Sequence, residues 1–200
     1  ETCLTFDYID EGHSFFVIRL DDGTFALDAA TRQWCELATY GRDNFTATCA
    51  TMAGDVAYFG DAHSPKVWKF GGWLDGDQII ERSWTAAFPI KGGTVTVDNL
   101  NIEANVGWTG LLSGVGSDPF VEMQSSRDGG ATFGNWRQAP LGQQGMYRTR
   151  TQFRRCGMFD APGAVFQFRF TEEGPLRVSD VTVNEAGGGR ARPSRTAIDN

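Results

Sequence analysis

Residues 120–155 read FVEMQSSRDGGATFGNWRQAPLGQQGMYRTRTQFRR. Inside this stretch, Ser126–Phe133 fits the Asp-box hairpin pattern S-x-D-x-G-x-T-(W/F). Before it, Val121 and Met123 alternate with polar residues, which is typical of a half-buried strand. The carboxylate of Asp128 can accept hydrogen bonds from turn N–H groups, and the glycines after it adopt positive φ without steric cost. The pattern predicts a hairpin turn with a structural role, formed by Ser126, Asp128, Gly130, Thr132 and Phe133.

An arginine-rich strand follows this hairpin, at residues 148–157. Because side chains alternate along a strand, three of its arginines are predicted on one face together with Gln152. Arg155 is predicted on the opposite face, beside Phe153. Three interpretations stay open: a solvated outer face, a contact between subunits in which guanidinium groups pair with carboxylates, and a channel lining that touches DNA. The candidate interface residues are Arg148, Arg150, Arg154 and Arg155.

Four motifs occur in a characteristic order along the chain. They are the S-x-D-G-G-x-T-F hairpin, an L-G-x-x-G-x-Y connection at Leu141–Tyr147, the R-x-R-x-x-F-R-R strand, and an F-x-F-R-F strand at Phe166–Phe170. This succession resembles the tail-hub proteins of short-tailed phages, which are also called packaged-DNA stabilisation proteins or head-completion factors. The resemblance covers roughly residues 12–183.

The resemblance implies a structural virion protein of the phage tail, made in the cytoplasm of a bacterial host. It implies a ring, a hexamer in this family, that lies below the portal and plugs the DNA exit channel after packaging. The implied partners are the portal or adaptor and the tail needle or fibre proteins. Stabilisation of packaged DNA would then come from occlusion by a rigid ring with heterologous interfaces rather than from catalysis.

Composition favours an all-β protein. The 200 residues include 15 Phe, 6 Trp and 25 Gly, and no segment shows sustained helical periodicity. No apolar run is long enough to span a membrane and no signal peptide begins the chain, so no membrane association is expected. The first residue is Glu1, which suggests an excised fragment. A net charge of −7 disfavours direct, sequence-specific binding of nucleic acid, and local basic patches then favour an acidic partner subunit.

The first 77 residues predict hairpins like those of kelch-type propeller blades. Strand Phe15–Leu20, the turn Asp21–Gly23, strand Thr24–Asp28 and strand Gln33–Leu37 form a three-strand meander. A second copy comprises Cys49–Met52, Asp55–Asp61 and Lys66–Phe70, and the two copies carry Trp34 and Trp68 at comparable points. Two blades cannot close a propeller, so we expect a truncated one.

A turn-rich segment, Gly71–Asp77, predicts the boundary between this region and an antiparallel β-sandwich. We assign residues 1–77 to the blades, 78–186 to the sandwich that contains the Asp-box hairpin, and 187–200 to a flexible tail. The strands predicted for the sandwich are 79–88, 94–97, 100–106, 120–126, 132–137, 147–155, 165–170 and 176–183.

The alternative function is an Asp-box β-protein that binds or hydrolyses carbohydrate. Glycoside hydrolysis needs two placed carboxyl groups, and the neighbouring carboxylates of this chain occur in turn or loop contexts, where solvated turn residues are the ordinary explanation. We therefore expect no enzyme activity and no catalytic residue. The carboxylate pairs are Asp21/Asp22, Asp75/Asp77 and Glu172/Glu173, and the aromatic residues that could stack on sugars are Trp73, Trp108 and Trp136.

No metal site or cofactor is predicted. His13 and His63 are the only histidines, and neither has a second ligand at metal spacing. The four cysteines show no CxxC spacing and are expected to be reduced, mostly buried thiols. A cell-surface β-module is a third interpretation, which the lack of a disulfide pattern disfavours. The cysteines are Cys3, Cys35, Cys49 and Cys156.

Overall fold

The computed structural model describes residues 3–105, 119–142, 149–174 and 176–184, with backbone alone at 105, 149 and 150. Their secondary structure consists of β-strands, which confirms the all-β class. Contacts divide the chain into two compact units between Gln78 and Ile79. No helix in these described ranges could span a membrane.

The first unit begins with a four-stranded antiparallel meander in the order β1-β2-β3-β4. Its hairpin turns form where Gly12 and the Asp21–Gly23 segment allow the chain to reverse. The predicted meander had three strands, and β1 is the one that was missed, although Phe6 and Tyr8 alternate with polar residues in it. The strands are β1 (Leu4–Asp10), β2 (His13–Arg19), β3 (Thr24–Asp28) and β4 (Gln33–Glu36).

A second, three-stranded sheet packs on the meander through aromatic side chains. Phe59 is 2% exposed and lies edge-on to Tyr8 at 5.3 Å and to Phe45 at 5.4 Å between ring centroids. Tyr8 in turn stacks on Phe15 at 5.0 Å. Its strands are β5 (Ala47–Ala53), β6 (Val56–Asp61) and β7 (Val67–Lys69), and a short hairpin of β8 (Leu74–Asp75) and β9 (Gln78–Ile79) follows.

The second unit contains two antiparallel sheets, with strand orders β10-β15-β12-β13 and β14-β11-β16. Both sheets contribute to one buried cluster, in which Phe166 and Phe168 of one sheet join Leu100 and Phe159 of the other. Alternation explains the pattern, because the F-x-F-R-F strand directs every second side chain into this core. The strands are β10 (Arg82–Pro89), β11 (Val95–Asn105), β12 (Phe120–Ser126), β13 (Arg137–Pro140), β14 (Thr149–Phe159), β15 (Gly163–Phe170) and β16 (Arg177–Val183).

Three strand predictions in this unit were wrong. The predicted strand 79–88 is interrupted at residues 80–81, between β9 (Gln78–Ile79) and β10 (Arg82–Pro89). The predicted strands 94–97 and 100–106 form one strand, β11, because a bulge at Asp98 absorbs the break in alternation. The strand predicted at 132–137 begins only at Arg137, since side-chain hydrogen bonds keep residues up to Thr132 in a turn. The predicted tail, residues 187–200, lies outside the described residues.

Candidate interaction surface

The Asp-box segment forms a turn held by two side chains. Ser126 Oγ lies 2.6 Å from Asp128 Oδ1 and accepts from Gly130 N at 2.8 Å. Asp128 Oδ1 accepts from Thr132 N at 2.8 Å, and Oδ2 accepts from the Thr132 hydroxyl. Hydrogen bonds from Ser126 and Thr132 hold the pKa of Asp128 well below its usual range. Because these bonds stay within the turn, they stabilise its backbone conformation; Phe133 is half-buried beside it.

The arginine-rich strand is β14, and its outer face carries a chain of polar side chains. Arg154 Nε donates to Gln152 Oε1 at 2.7 Å, and Gln152 Nε2 donates to Asn101 Oδ1 at 3.0 Å on β11. Arg150 pairs through its backbone with Glu103. Arg148 lies outside the described residues. Of the four candidate interface arginines, the structure therefore places the side chains of Arg154 and Arg155, and both are exposed.

The predicted alternation fails at Arg155. Phe153 faces the core, but the next core residue is Cys156, because a bulge opposite Asp98 inserts an extra residue into β14. Arg155 has a φ of 54°, which is uncommon for a residue other than glycine, and Gly157 has a φ of 111°. Arg155 is therefore exposed on the bulge instead of lying beside Phe153 on the inner face.

Two further arginines, which were not predicted as interface residues, reach this bulge from the other sheet. Arg137, the first residue of β13, donates from its guanidinium to the carbonyl oxygens of Arg154 and Arg155, the latter at 3.4 Å. Arg127 of the Asp-box turn lies against Gly157, where a β-carbon would be 3.1 Å from its Nη2. Both are exposed. We call Arg127, Arg137, Arg154 and Arg155 the bulge arginines.

The outer face of the β10-β15-β12-β13 sheet holds a second charged group. Glu122 Oε2 accepts from Arg169 Nε at 2.7 Å and Nη2 at 2.6 Å, and its other oxygen accepts from Gln138 at 3.2 Å. The Arg169 guanidinium lies 4.3 Å from the ring centre of half-buried Trp136, a distance typical of a cation–π contact. One face of Trp136 is thus occupied and cannot stack on a sugar ring. Trp73 is half-buried, and Trp108 lies outside the described residues.

In the first unit, two aspartates organise equivalent turns. Asp28, which ends β3, accepts from Ala30 N, Thr31 Oγ1 and His13 Nδ1, each at 2.8 Å. Removal of the carboxylate from water raises the pKa of Asp28. The hydrogen bonds, led by the one from Thr31, outweigh this effect and lower the pKa to about 2.

Asp61 ends β6 in the same way as Asp28 ends β3. It accepts from Ser64 Oγ at 2.6 Å, His63 N at 2.9 Å and Trp68 Nε1 at 3.3 Å. These hydrogen bonds, of which the one from Ser64 has the largest effect, lower the pKa of Asp61 to about 2. Tryptophans follow at 34 and 68 in the next strands, so the two sheets repeat one local design.

The carboxylate pairs considered for hydrolysis lie in or beside turns. Asp21/Asp22 are in the β2–β3 turn, Asp75/Asp77 lie in and after β8, and Glu172/Glu173 lie between β15 and β16. Burial raises the pKa of Glu172. Within the described ranges, no cluster of three His, Cys, Asp or Glu side chains could hold a metal ion.

The cysteine prediction was wrong in one respect. Cys3, Cys35 and Cys49 are exposed and only Cys156 is buried, although all four are free thiols. Cys49 lies on the face of β5 that points away from the aromatic core, and Cys35 lies on the edge strand β4.

Comparison with known families identifies the second unit. Residues 82–186 match the family model described as bacteriophage P22 Gp10, beta-sandwich. The match begins at the first residue of β10 and includes all seven strands of the two packed sheets. No curated protein matches the chain.

Proposed function

This chain belongs to the family of the bacteriophage P22 Gp10 beta-sandwich, a family of tail and virion proteins of short-tailed phages, and we propose that it is the tail hub or adaptor below the portal. In this role it plugs the DNA exit channel and stabilises packaged DNA by occlusion. The match over residues 82–186 is the observation that carries the proposal. The protein acts by geometry and assembly, without a catalytic residue, metal or cofactor.

The sandwich suits an adaptor because its two sheets are fastened to each other by more than apolar packing. Arg137 spans from β13 to the carbonyl oxygens of β14, and Thr151 Oγ1 of β14 donates to Pro140 O at 2.8 Å. Arg82 donates from β10 to the carbonyl oxygens of Glu172 and Gly174. Such cross-links favour a rigid scaffold, which is what a ring of repeated contacts requires.

We also propose that the first unit consists of two blades of a β-propeller. The repeated turns at Asp28 and Asp61, each followed by a tryptophan strand, support this assignment, and so does the buried aromatic cluster around Phe59 that the two sheets share. The outer face of the meander supports it as well, because Phe16, Phe25 and Trp34 are exposed there and a neighbouring blade would cover them.

The arginine-rich strand is the proposed contact with the portal or with a neighbouring copy. Charge reversal of Arg148, Arg150 and Arg154 to Glu should weaken assembly and leave the fold intact, because the sequence predicts these three arginines on one strand face and guanidinium groups pair with carboxylates of a partner. A matched control reverses three exposed charges of the first unit, Arg42, Lys66 and Lys69, and changes the net charge by the same amount.

The test is the solution mass of the chain alone and mixed with a portal ring. We expect a ring of the parent chain, or a complex that depends on the portal, and loss of either in the arginine variant but not in the control. A monomer that ignores the portal and binds to glycans on an array would overturn the hub proposal and favour the carbohydrate-binding alternative.

A further inference from the structure

The bulge arginines form a compact positive surface that is built from three chain segments. Arg127 comes from the Asp-box turn, Arg137 from the start of β13, and Arg154 and Arg155 from β14. All four are exposed, and none of them has an ion pair within the part of the chain that the structure describes. Within the described ranges, four positive charges therefore lie around one bulge without an ion-paired carboxylate.

Their positions depend on backbone features that are costly to maintain. Arg155 occupies a φ of 54°, which costs on the order of 1 kcal/mol for a residue other than glycine. A β-carbon at position 157 would crowd the Arg127 guanidinium, so a glycine is needed for both its φ of 111° and its close contact. A strained position that displays a cation points to a binding role for that cation.

The charge of the chain is divided unevenly between the two units. Residues 1–78 contain 13 acidic and 5 basic side chains, a net charge of −8, whereas residues 79–200 contain 12 acidic and 13 basic side chains, a net charge of +1. A second copy of the chain therefore offers an acidic body to the bulge arginines. Opposite fields of this kind steer association and fix which surfaces meet.

We propose that the bulge arginines bind carboxylates on the acidic first unit of a second copy of this chain. The contact is heterologous, because the second unit of one copy meets the first unit of the next copy. Contacts of that type generate rings. Arg127 and Arg155 are the recognition groups, because they make no hydrogen bond within the described residues, whereas the guanidinium of Arg137 is held by backbone carbonyls. The inference deepens the proposed function, on which it rests only for the expectation of a ring.

Protein carboxylates fit this surface better than nucleic acid phosphates. A duplex is tracked by an extended basic face, whereas these four residues surround one bulge on a unit of net charge +1. The first unit, at −8, would repel a polyanion at long range.

The first experiment measures self-association of the full chain by sedimentation velocity. We expect association that weakens as salt rises from about 0.1 M to about 1 M, over which the Debye length falls from about 10 Å to about 3 Å. The R127E/R155E variant should raise the dissociation constant about tenfold or more, because two exposed ion pairs are lost and repulsion is added. R127K/R155K keeps both charges and should stay close to the parent, and an unchanged circular dichroism spectrum shows that each variant folds.

A second experiment identifies the surface that is contacted. The Arg155→Lys chain is mixed as equal parts of light and heavy nitrogen isotopes and treated with a carbodiimide, which joins an amine to a carboxylate that it already contacts. We expect cross-links from position 155 to carboxylates of residues 1–78 in mixed-isotope pairs. A parent chain that remains monomeric at low salt, cross-links only within one copy, or salt-sensitive binding to an oligonucleotide in place of self-association would each overturn the inference. If R127E/R155E self-associates as the parent does and also binds the portal, the hub proposal stands while the inference fails.

Discussion

Arg169 and Glu122 form a two-pronged ion pair across neighbouring strands, with Arg169 Nε and Nη2 at 2.7 and 2.6 Å from the same carboxylate oxygen. The pair lies on the outer face of the four-stranded sheet, opposite the side on which Met123 and Phe168 enter the core. It is covered by Trp136, which stacks on the guanidinium. The ion pair thus stabilises the outer face of this sheet, as apolar packing stabilises its inner face. It also fixes the register of β12 against β15.

Glu122→Gln should lower the free energy of unfolding by about 2 kcal/mol, because the variant removes the nearer and less exposed of the two carboxylates that approach a largely covered guanidinium. The side chains of Glu122 and Arg169 are 11% and 28% exposed. Glu81→Gln is the matched control, since Glu81 approaches the same arginine at 3.8 Å but is 53% exposed, and its loss should cost less than about 0.5 kcal/mol. Urea unfolding measures both, and equal costs would contradict this account of the pair.

Thr182→Val should raise the free energy of unfolding by about 1 kcal/mol. The hydroxyl of Thr182 is buried in β16 and has no hydrogen-bond partner among the residues that the structure describes, so a valine of similar shape removes an unsatisfied polar group. Thr151→Val is the control, because the Thr151 hydroxyl donates to Pro140 O at 2.8 Å, and its loss should cost about 1.5 kcal/mol. Chemical denaturation of the two variants should shift the midpoint in opposite directions, and destabilisation by Thr182→Val would contradict the prediction.

Local sequence signals were sufficient for much of the first unit. The strand 24–28 was predicted with its observed bounds, because Asp21–Gly23 reverses the chain and Asp28 begins the next turn within a few residues. The strand β1 was missed because the turn that joins it to β2 has positive φ at both Glu11 and Gly12. Glutamate rarely adopts positive φ, so its presence in the sequence does not indicate such a turn. The alternation of Phe6 and Tyr8 with polar residues is the local signal for this strand.

The candidate interaction surface was only partly predictable. The exposure of Arg154 follows from alternation, but a bulge that shifts Arg155 out of the core-facing row depends on its pairing with β11, which is distant in sequence. The approach of Arg127 and Arg137 depends on how the two sheets pack, and no local motif encodes it. Opposite charges at Glu122 and Arg169, each within an otherwise apolar strand, were a signal that could have suggested their pairing.

The turns of Asp28 and Asp61 should make the first unit sensitive to acid. Both carboxylates have a folded-state pKa of about 2, below the value near 4 expected for an unfolded chain, so their ionised forms stabilise the fold. This contribution is fully present above about pH 4 and is lost as the pH falls from about 4 towards 2. Urea midpoints recorded by circular dichroism at a series of pH values should therefore decrease steeply across that interval.

In the Asp28→Asn/Asp61→Asn variant, the midpoint should be lower at neutral pH and should change less between pH 4 and pH 2, because the groups that titrate are gone. Asp55→Asn removes an exposed carboxylate from the β5–β6 turn and should leave the pH profile close to that of the parent. A double variant that keeps the full acid sensitivity would show that other groups cause it.

Arg155→Gly should separate the stability of the bulge from its charge. Glycine relieves the strain of a φ of 54° but increases the conformational entropy of the unfolded chain, and these effects are of similar size. The free energy of unfolding should therefore stay within about 0.5 kcal/mol of the parent. Arg154 lies in an ordinary strand position one residue earlier. Arg154→Gly should lower the free energy of unfolding by about 1 kcal/mol, because glycine increases the entropy of the unfolded chain there and relieves no strain. Arg155→Gly could instead lower the free energy of unfolding more than Arg154→Gly does in thermal and urea unfolding. The Arg155 side chain would then stabilise the fold itself, and its exposed charge would not indicate a binding role.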